Sequence, residues 1–369
     1  MSLVLNGTTG ITNLPSINSG QLGGRRNIVY NGEMKVAQRS TSVTGLGATS
    51  GYFTLDRWFM FLQATAGRLT MAQVADGPAG FANCMKLTTT TADTSIAAGE
   101  RLQLLQVFEG QDLQQLKKGT SSAEAVTVSF YVKANAAALY VCELLDSDGS
   151  RMNTQSFAVT TDWNRIELTF VGDTASAIVD DNTASLYLSI WLHGGATFTG
   201  GTFASNTWAA STEANRYAVA NRTSIFDATS RTFFITGVQM ELGSKATEFE
   251  SRSFGEELAL CQRYCFVMAP STNASVAPAF ARSTTVAFGI AELPVTMRAT
   301  PSLAFSANND FQVQFLGSVA TSTAMAASPE LHKNMIAFTA TVSSGLTAGQ
   351  GMYIRDLNGG ATITAAAEL

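Results

Sequence analysis

Apolar side chains at every second position are the feature of this sequence that most restricts its fold. Within 125–133, Val126, Val128, Phe130 and Val132 alternate with other residues, which is the period of a β-strand with one buried face. Similar segments, separated by turn signals such as DSDG, lie at 139–145, 163–170, 185–192 and 231–242. Many short strands joined by polar turns favour a β-sandwich or jelly roll.

A second set of strand-like segments follows residue 266, at 284–290, 293–298, 301–306, 311–316, 335–342, 352–357 and 362–366. Only 14% of the residues are charged, and Thr, Ser, Ala, Gly and Asn are abundant, as short strands with tight turns require. Before Phe254, the main candidate for a short helix is 111–118. We therefore expect an all-β protein: a jelly-roll β-sandwich, a short helix and a second smaller β-sandwich domain, with an extended N-terminal arm.

The predicted boundaries are 1–25 for the arm, 26–252 for the jelly-roll β-sandwich, 253–265 for the connecting helix and 266–369 for the C-terminal β domain. The arm is rich in Gly, Asn, Ser and Thr and lacks enough apolar residues for a core. Two alternatives remain open for it: a flexible tail, or a segment that orders only against a partner.

The connecting helix is predicted from a capping box and an apolar stripe. Ser253 and Glu256 have the spacing in which the serine oxygen and the carboxylate each cap a backbone N–H. Leu258, Cys261 and Cys265 follow at helical spacing on one face. The two cysteines are four residues apart, with no histidine or further cysteine beside them, so we expect core packing and no metal site. No cofactor is predicted.

Several classes of function are disfavoured by composition. The net charge is −5 and there is no basic cluster, so we expect no nucleic-acid binding. No apolar run is long enough for a membrane span, and we expect no membrane insertion. The first ten residues lack the basic region of a signal peptide. Four widely spaced cysteines do not form a disulfide framework, and we expect synthesis in a reducing cytoplasm.

Catalytic motifs are also absent, and we expect no enzyme. The only histidines are His193 and His332, neither of them in a nucleophile-elbow context, and GxSxG is missing. A depolymerase would need two carboxylates at a defined separation in a groove. The candidate carboxylates, which are Asp146, Asp148, Asp180 and Asp181, all lie in turn-like clusters, where Asp is expected for backbone reasons.

Aromatic residues in the long polar segment 194–221 are the candidates for carbohydrate binding, because a ring can cover the apolar face of a pyranose. They are Phe198, Phe203, Trp208 and Tyr217. A loop of this length within a compact domain is often functional. A subunit contact or an ordinary loop anchor would explain the same residues. We expect Trp58 and Trp163 to pack in the core, and the face on which Trp191 lies stays undecided.

Three signatures together resemble the tail-fibre proteins of bacteriophages. The first is NIVYNGEMKVAQR (27–39) followed by GYFTLDRW (51–58). The second, TVSFYVKA (127–134) with Trp163 and 186–192, is similar to the strand order of jelly-roll carbohydrate-binding modules. The third, the most specific, is GVQMELGSKATEFESRSFGEELALCQRYC (237–265), which looks like the sandwich exit and helix of phage tail proteins.

This resemblance implies a noncatalytic virion subunit, most often a homotrimeric tail fibre that is made in the host cytoplasm and attaches to host-surface glycans. The arm would contact other virion proteins. The alternative is a head fibre, decoration or baseplate scaffold subunit that binds no sugar; a polysaccharide depolymerase is the third reading. The related modules frequently bind calcium, for which Glu33 is a possible ligand here, although the sequence favours a surface carboxylate.

Overall fold

The structure, a computed structural model, describes residues 25–369. The predicted arm therefore lies outside the described residues, except for Arg25. The chain divides into two compact units: among the described residues, the first comprises 25–35 and 41–252, and the second comprises 36–40 and 253–369. The protein is all-β, as predicted.

The first unit contains thirteen strands and one helical turn. They are β1 (Ser42–Leu46), β2 (Gly51–Tyr52), β3 (Phe59–Gln63), β4 (Arg68–Val74), β5 (Cys84–Thr91), β6 (Arg101–Glu109), β7 (Val126–Ala134), β8 (Ala138–Asp146), β9 (Arg151–Val159), β10 (Asn164–Phe170), β11 (Ala184–Gly194), α1 (Ala196–Thr199), β12 (Ala209–Ala210) and β13 (Thr232–Leu242). The short helix predicted at 111–118 is confirmed only in part, because no single continuous helix lies there. The chain there forms two short 3₁₀ turns, Gly110–Asp112 and Gln114–Leu116, in which glutamine side chains bond nearby backbone carbonyls.

Two antiparallel sheets form a jelly roll in this unit. One has six strands in the order β1-β4-β5-β13-β7-β10, and the other has seven in the order β12-β9-β8-β11-β6-β3-β2. Successive strands change sheet from β5 to β6 to β7 to β8, and again at β10, β11 and β13. The alternating apolar residues fill the space between the sheets: Val128, Phe130 and Val132 are all fully buried.

The segments with fibre-like sequence meet at one place in this unit. The side-chain amide of Asn31 donates to the carbonyl of Asp56 at 3.0 Å, and the indole N–H of Trp58 donates to the carbonyl of Asn31 at 3.2 Å. A Cβ on Gly32 would lie 2.2 Å from the carbonyl oxygen of Val238, so only glycine fits there. These residues hold the N-terminal segment against β13. A structural role is therefore sufficient to explain why they occur in the sequence.

The connecting helix begins as predicted and ends earlier. In α2 (Phe254–Gln262) the hydroxyl of Ser253 accepts from the backbone N–H of Glu256, whose carboxylate in turn accepts from the N–H of Ser253. Placing Cys265 on this helix is wrong, because the helix ends at Gln262 and Cys265 begins the next strand. All four cysteines are buried, and burial raises the pKa of Cys84 to about 11.

The second unit is a smaller β-sandwich. Its strands are β14 (Cys265–Met268), β15 (Ser275–Ala281), β16 (Val286–Glu292), β17 (Ser302–Phe305), β18 (Phe311–Phe315), β19 (Ser318–Thr321), β20 (Ala324–Ala327), β21 (Met335–Thr341), β22 (Gly351–Asp356) and β23 (Ile363–Ala366). They form a three-stranded sheet, β14-β23-β17, and a seven-stranded sheet, β19-β18-β22-β15-β16-β21-β20.

Alanine, valine and phenylalanine side chains fill the core of this second unit, among them Ala340, Val313 and Phe338. The strand predicted at 293–298 is wrong: this stretch is a loop. Only Leu293 and Met297 of its side chains are buried, and both join the core. Leu293 and Met297 lie an even number of residues apart, as residues on one face of a strand do. Two buried loop residues therefore produced the pattern of a strand.

Candidate functional site

The seven-stranded sheet of the first unit has an interior face and an outer face. Tyr140 on β8 contacts Phe233 of the six-stranded sheet, with 5.5 Å between the ring centroids, so its face of the sheet is interior. Neighbouring residues of a strand point to opposite faces. Val141, and Trp191 which pairs with it in register, therefore lie on the outer face.

Part of this outer face is covered by the chain between β11 and β13, which we call the covering segment (195–225). Phe198 and Tyr217 lie over Trp191, with centroid distances of 5.4 and 5.7 Å. They are only 2% and 1% exposed. Of the readings left open for these two predicted carbohydrate candidates, loop anchor fits the structure, because buried rings offer no face to a ligand.

A buried ion pair fixes the covering segment to the sheet. The guanidinium of Arg216 donates to both carboxylate oxygens of Glu143 on β8, at 2.8 and 2.7 Å, and the indole N–H of Trp191 donates to the same carboxylate at 2.9 Å. Burial lowers the pKa of Arg216, but the charge and hydrogen bonds of Glu143 outweigh burial and raise it. Arg216 is therefore charged at neutral pH.

The rest of the outer face carries partly exposed aromatic rings, which we call the aromatic strip (Tyr52, Phe59, Phe61 and Tyr187). Tyr52 and Phe59 pair across β2 and β3, with 5.0 Å between ring centroids, and Phe59 lies 6.3 Å from Phe61. In register, Phe59 is followed across the sheet by Leu105 and Ser189. This row crosses four adjacent strands, but Leu105 and Ser189 within it are buried, so its exposed rings are those on β2 and β3, with Tyr187 farther along β11.

Two buried polar groups lie beside this row without a hydrogen-bond partner among the described residues. They are the side-chain amide nitrogen of Gln103, opposite Phe61, and the hydroxyl of Ser189, opposite Leu105. Native proteins satisfy nearly all such groups with protein atoms, water or a ligand. Apolar rings next to unsatisfied donors can hold a molecule that has an apolar face and hydroxyl groups.

Trp208, another predicted carbohydrate candidate, lies apart from the strip at the edge of the sandwich. Its indole N–H donates to the carbonyl of Val171 at 2.6 Å, and the ammonium of Lys118 lies 4.8 Å from the ring centroid. An open pocket of about 310 Å³, solvent included, adjoins Trp208 and is lined mostly by apolar side chains such as Phe170. Phe203 is partly exposed in the covering segment.

At least one of the carboxylates that the sequence analysis assigned to turns has a structural role. Asp146 ends β8 and is buried in an ion pair with Lys118, which corrects its assignment to a turn cluster. Asp173 bonds Lys118 and Arg151, each at 2.8 Å. Burial raises the pKa of Asp173, but these hydrogen bonds outweigh burial and lower it. The cluster pairs its two carboxylates with two cationic side chains.

Glu33 is also a paired group: it is buried and bonded to Lys35, so its assignment as a surface carboxylate is wrong. Within residues 25–369 there is no cluster of three or more His, Cys, Asp or Glu side chains arranged to hold a metal ion. In the same described part of the chain, no helix has both the length and the apolar character needed to cross a bilayer.

His193 takes part in a row of hydrogen bonds that the sequence did not reveal. Its Nδ1 lies 2.8 Å from the hydroxyl oxygen of Ser224, and its Nε2 lies 3.1 Å from the carboxylate of Glu100. Burial lowers the pKa of His193, although Glu100 acts in the opposite direction. The hydroxyl of Ser224 also accepts from the N–H of Phe226 at 3.0 Å, and the ring of His193 is fully buried, as in a structural network.

The predicted carbohydrate candidates are thus not brought together. Phe198 and Tyr217 join the core, while Trp208 and Phe203 stay partly exposed, and their role in binding stays a prediction. Sequence analysis missed the aromatic strip. The signal was present in FMFLQ (59–63), where Phe59 and Phe61 alternate with Met60 and Leu62. A strand that is apolar on both faces is typical of a sheet with a second covered or binding surface.

No protein-family model matches this sequence, and a search of curated proteins found no match. Solved structures similar to about three-fifths of the chain include a family 11 carbohydrate-binding module from Clostridium thermocellum in complex with a β-1,3-1,4-mixed-linked tetrasaccharide, at 12% identity and a TM-score of 0.28, covering 57% of this chain and 99% of that one.

Two further solved structures are similar over the same portion of the chain. One is a family 61 carbohydrate-binding module in complex with β-1,4-galactotriose, at 10% identity and a TM-score of 0.30, covering 59% of this chain and 99% of that one. The other is the enzymatically active domain of tailspike protein 4 of bacteriophage CBA120, at 12% identity and a TM-score of 0.29, covering 58% of this chain and 21% of that one. Such low TM-scores do not support a shared function.

Proposed function

We propose that this chain is a noncatalytic structural subunit of a phage virion, a homotrimeric tail fibre that attaches to host-surface glycans through the aromatic strip. The fibre-like sequence signatures support the virion role. The aromatic strip is the single observation that carries the glycan-binding part. It is a group of partly exposed rings on a sheet, rather than on a loop.

The chemistry of the strip suits a sugar. A pyranose has a C–H face that packs on an aromatic ring and a rim of hydroxyl groups. Tyr52 and Phe59 offer ring surface, and the phenol of Tyr52 adds a hydrogen-bonding group. Beneath the rings, the side-chain nitrogen of Gln103 and the hydroxyl of Ser189 have no hydrogen-bond partner among the described residues. Both groups are themselves buried, so a water beneath the rings would satisfy them.

The proposal is tested with a glycan array, followed by calorimetry on the glycans that bind. The Tyr52→Ala and Phe59→Ala variants should each weaken binding by roughly tenfold, because truncating a central aromatic contact costs more than about 1 kcal/mol. The matched control is Tyr131→Ala, which removes a partly exposed ring on the six-stranded sheet and should leave affinity unchanged.

Trp208→Ala separates the strip from the edge of the sandwich. If this variant abolished binding while Tyr52→Ala and Phe59→Ala had no effect, the predicted candidate Trp208 would be correct and the strip would not be the site. Equal binding by all the variants would contradict both. Release of reducing ends from host polysaccharide would contradict a noncatalytic role.

The second candidate function is a scaffold: a head fibre, decoration or baseplate subunit without sugar binding. The contacts that join the fibre-like signatures, such as the hydrogen bond from Asn31 to Asp56, favour this candidate. They show that the signature residues stabilise the fold, and such a role requires no sugar binding. A silent glycan array, with the protein present on purified particles by immunogold labelling, would support this candidate instead.

A further inference from the structure

The seven-stranded sheet of the second unit presents one face to the core and exposes apolar side chains on the other. Tyr353 pairs with Pro278 and Gln314, Gln314 pairs with Val319, and Phe280 pairs with Phe288. Four large apolar residues therefore share the outward side, each between 36% and 48% exposed: Phe280, Ile290, Val319 and Tyr353. We call this side the open face.

Charged side chains are few on the open face, but Arg282 lies on it: its guanidinium is 3.8 Å from the ring centroid of Phe288, which pairs with Phe280, and it donates to Glu330. Among the strand residues of this face, the charged ones are Arg355, whose guanidinium donates to the side chain of Gln312 at 2.8 Å, and Glu292, at the end of β16. Neutral Thr339 and Ala326 lie between the large apolar residues and the far edge. A face with so few charges gives a charged partner little to recognise, whereas it resembles the apolar interfaces of permanent assemblies.

A hairpin at one edge of the open face carries an exposed leucine in an unfavourable conformation. Phe315 pairs with Ser318, which leaves Leu316 and Gly317 as the two-residue turn. Both have positive φ, 42° and 78°. This turn type favours Asn or Gly at its first position, because a bulky side chain is strained there. Leu316 is nevertheless 90% exposed.

A pocket that could receive this leucine lies near the other edge of the same sheet. It is lined by Leu293, Pro294, Val295 and Met335 together with polar neighbours, and contains about 850 Å³ of empty space, solvent included. These residues adjoin β16 and β21, the fifth and sixth strands counted from β19. A projection and a pocket at different places on one unit make a head-to-tail contact, which gives a ring if the rotation between copies closes and a filament if it does not.

We infer that the open face is the surface through which copies of this chain associate, with Leu316 of one copy entering the 293–296 and Met335 pocket of the next. This inference rests on the homotrimer in the proposed function and assigns its interface. Six strand spacings of about 4.8 Å and five residues of about 3.3 Å give a face on the order of 500 Å² in projection. A standard interface buries about 800 Å² of accessible surface per partner, so the face alone is smaller than this and the contact also needs the Leu316 hairpin and the pocket.

Sedimentation equilibrium and native mass spectrometry of the full chain test this assignment. The wild type should be a trimer at micromolar concentration. Leu316→Asn should raise the dissociation constant by at least about tenfold, because it removes an apolar anchor. The fold should be kept, since asparagine is favoured at this turn position. The double variant Phe280→Ser/Tyr353→Ser should weaken association further.

The matched control is Val179→Asn, which replaces an apolar residue of the first unit that is 53% exposed and should leave the mass unchanged. Assembly that survives both Leu316→Asn and the double variant would overturn the interface but not the trimer. A monomeric wild type would overturn both. Neither outcome affects glycan binding by Tyr52 and Phe59, which is measured separately on the array.

Photocrosslinking tests the head-to-tail geometry directly. With Leu316→p-benzoylphenylalanine, the intermolecular crosslink should map to peptides that contain 293–296 or Met335 of another copy. Crosslinks to the 311–321 hairpin of another copy would indicate a twofold contact and overturn the ring.

Discussion

The two units each contain a seven-stranded sheet, and the outer faces of these two sheets differ in how far the chain covers them. In the first unit, the covering segment lies over Trp191 and is fixed by the ion pair between Glu143 and Arg216. In the second unit, the outward side chains Phe280 and Tyr353 stay exposed. In the first unit, a charged pair is buried between the sheet and the covering segment. In the second unit, apolar side chains of the sheet remain exposed.

This difference separates two uses of the same architecture. A buried ion pair needs an enclosed site and fixes one arrangement of the chain around it, which suits a rigid surface beside a binding strip. An exposed apolar face contributes little to the stability of a single copy, but it gains from burial against another. We therefore expect that breaking the ion pair beneath the covering segment destabilises the first unit, whereas changes to the open face alter association.

The largest effect should follow from breaking the ion pair. Arg216→Met leaves Glu143 buried and unpaired, so the free energy of unfolding of the first unit should fall by about 3–5 kcal/mol. Urea denaturation followed by tryptophan fluorescence reports on this unit alone, because Trp58, Trp163, Trp191 and Trp208 all belong to it. Arg222→Met, at an exposed position, is the control. A loss below about 1 kcal/mol would show that the covering segment is held by its rings and not by charge.

A smaller loss is expected from the charge cluster at the end of the same sheet. Asp173→Asn removes the charged partner of Lys118 and Arg151 and should lower the free energy of unfolding by about 2–3 kcal/mol at pH 7. The folded protein has a lowered pKa for Asp173. Its stabilisation is therefore full above the unfolded value of about 4 and is lost as the pH falls further.

The difference between wild type and Asp173→Asn should accordingly shrink at pH 3, when both are measured by urea denaturation. Asp162→Asn, at an exposed position, serves as the control at both pH values. A difference that stays constant with pH would mean that the carboxylate acts through packing rather than charge.

The smallest effect concerns the second sheet and has the opposite sign. Leu316→Asn should stabilise the β18–β19 hairpin by up to about 1 kcal/mol, because it relieves the strain of a positive φ. Hydrogen exchange of peptides covering 311–321, in protein diluted below its association range, should slow. Leu316→Ala keeps the strain and removes the apolar group, so it isolates the two contributions. Faster exchange in Leu316→Asn would show that Leu316 supports its own hairpin.

Local patterns were sufficient for the strands and the helix start. The alternation of Val128 and Phe130 predicted a buried face, and the spacing of Ser253 and Glu256 predicted the capping box. Both depend on residues a few positions apart. The failures came where a short pattern had two explanations: Leu293 and Met297 imitate a strand but anchor a loop, and Phe198 lies in a polar segment yet is buried.

The candidate site was largely beyond local prediction. The prediction grouped Phe198 and Tyr217 with Trp208 as candidates for carbohydrate binding, because it assumed that a polar segment is exposed to solvent. The structure folds that segment over Trp191, so two of the four rings became interior. The aromatic strip was missed because Phe59 and Phe61 look like core residues until the neighbouring strands are known.

The sequence by itself determined the class of fold, because the period of two and the turn residues act over a few bonds. It also predicted the burial of the cysteines and of Trp58, whereas Trp163, expected in the core, is partly exposed. Only the tertiary structure decided which face of each sheet is covered. Glu143 and Arg216 are 73 residues apart, and the favourable energy of their contact exists only once both are enclosed. Burial is a property of the assembled surface, so no short stretch of the chain specifies it.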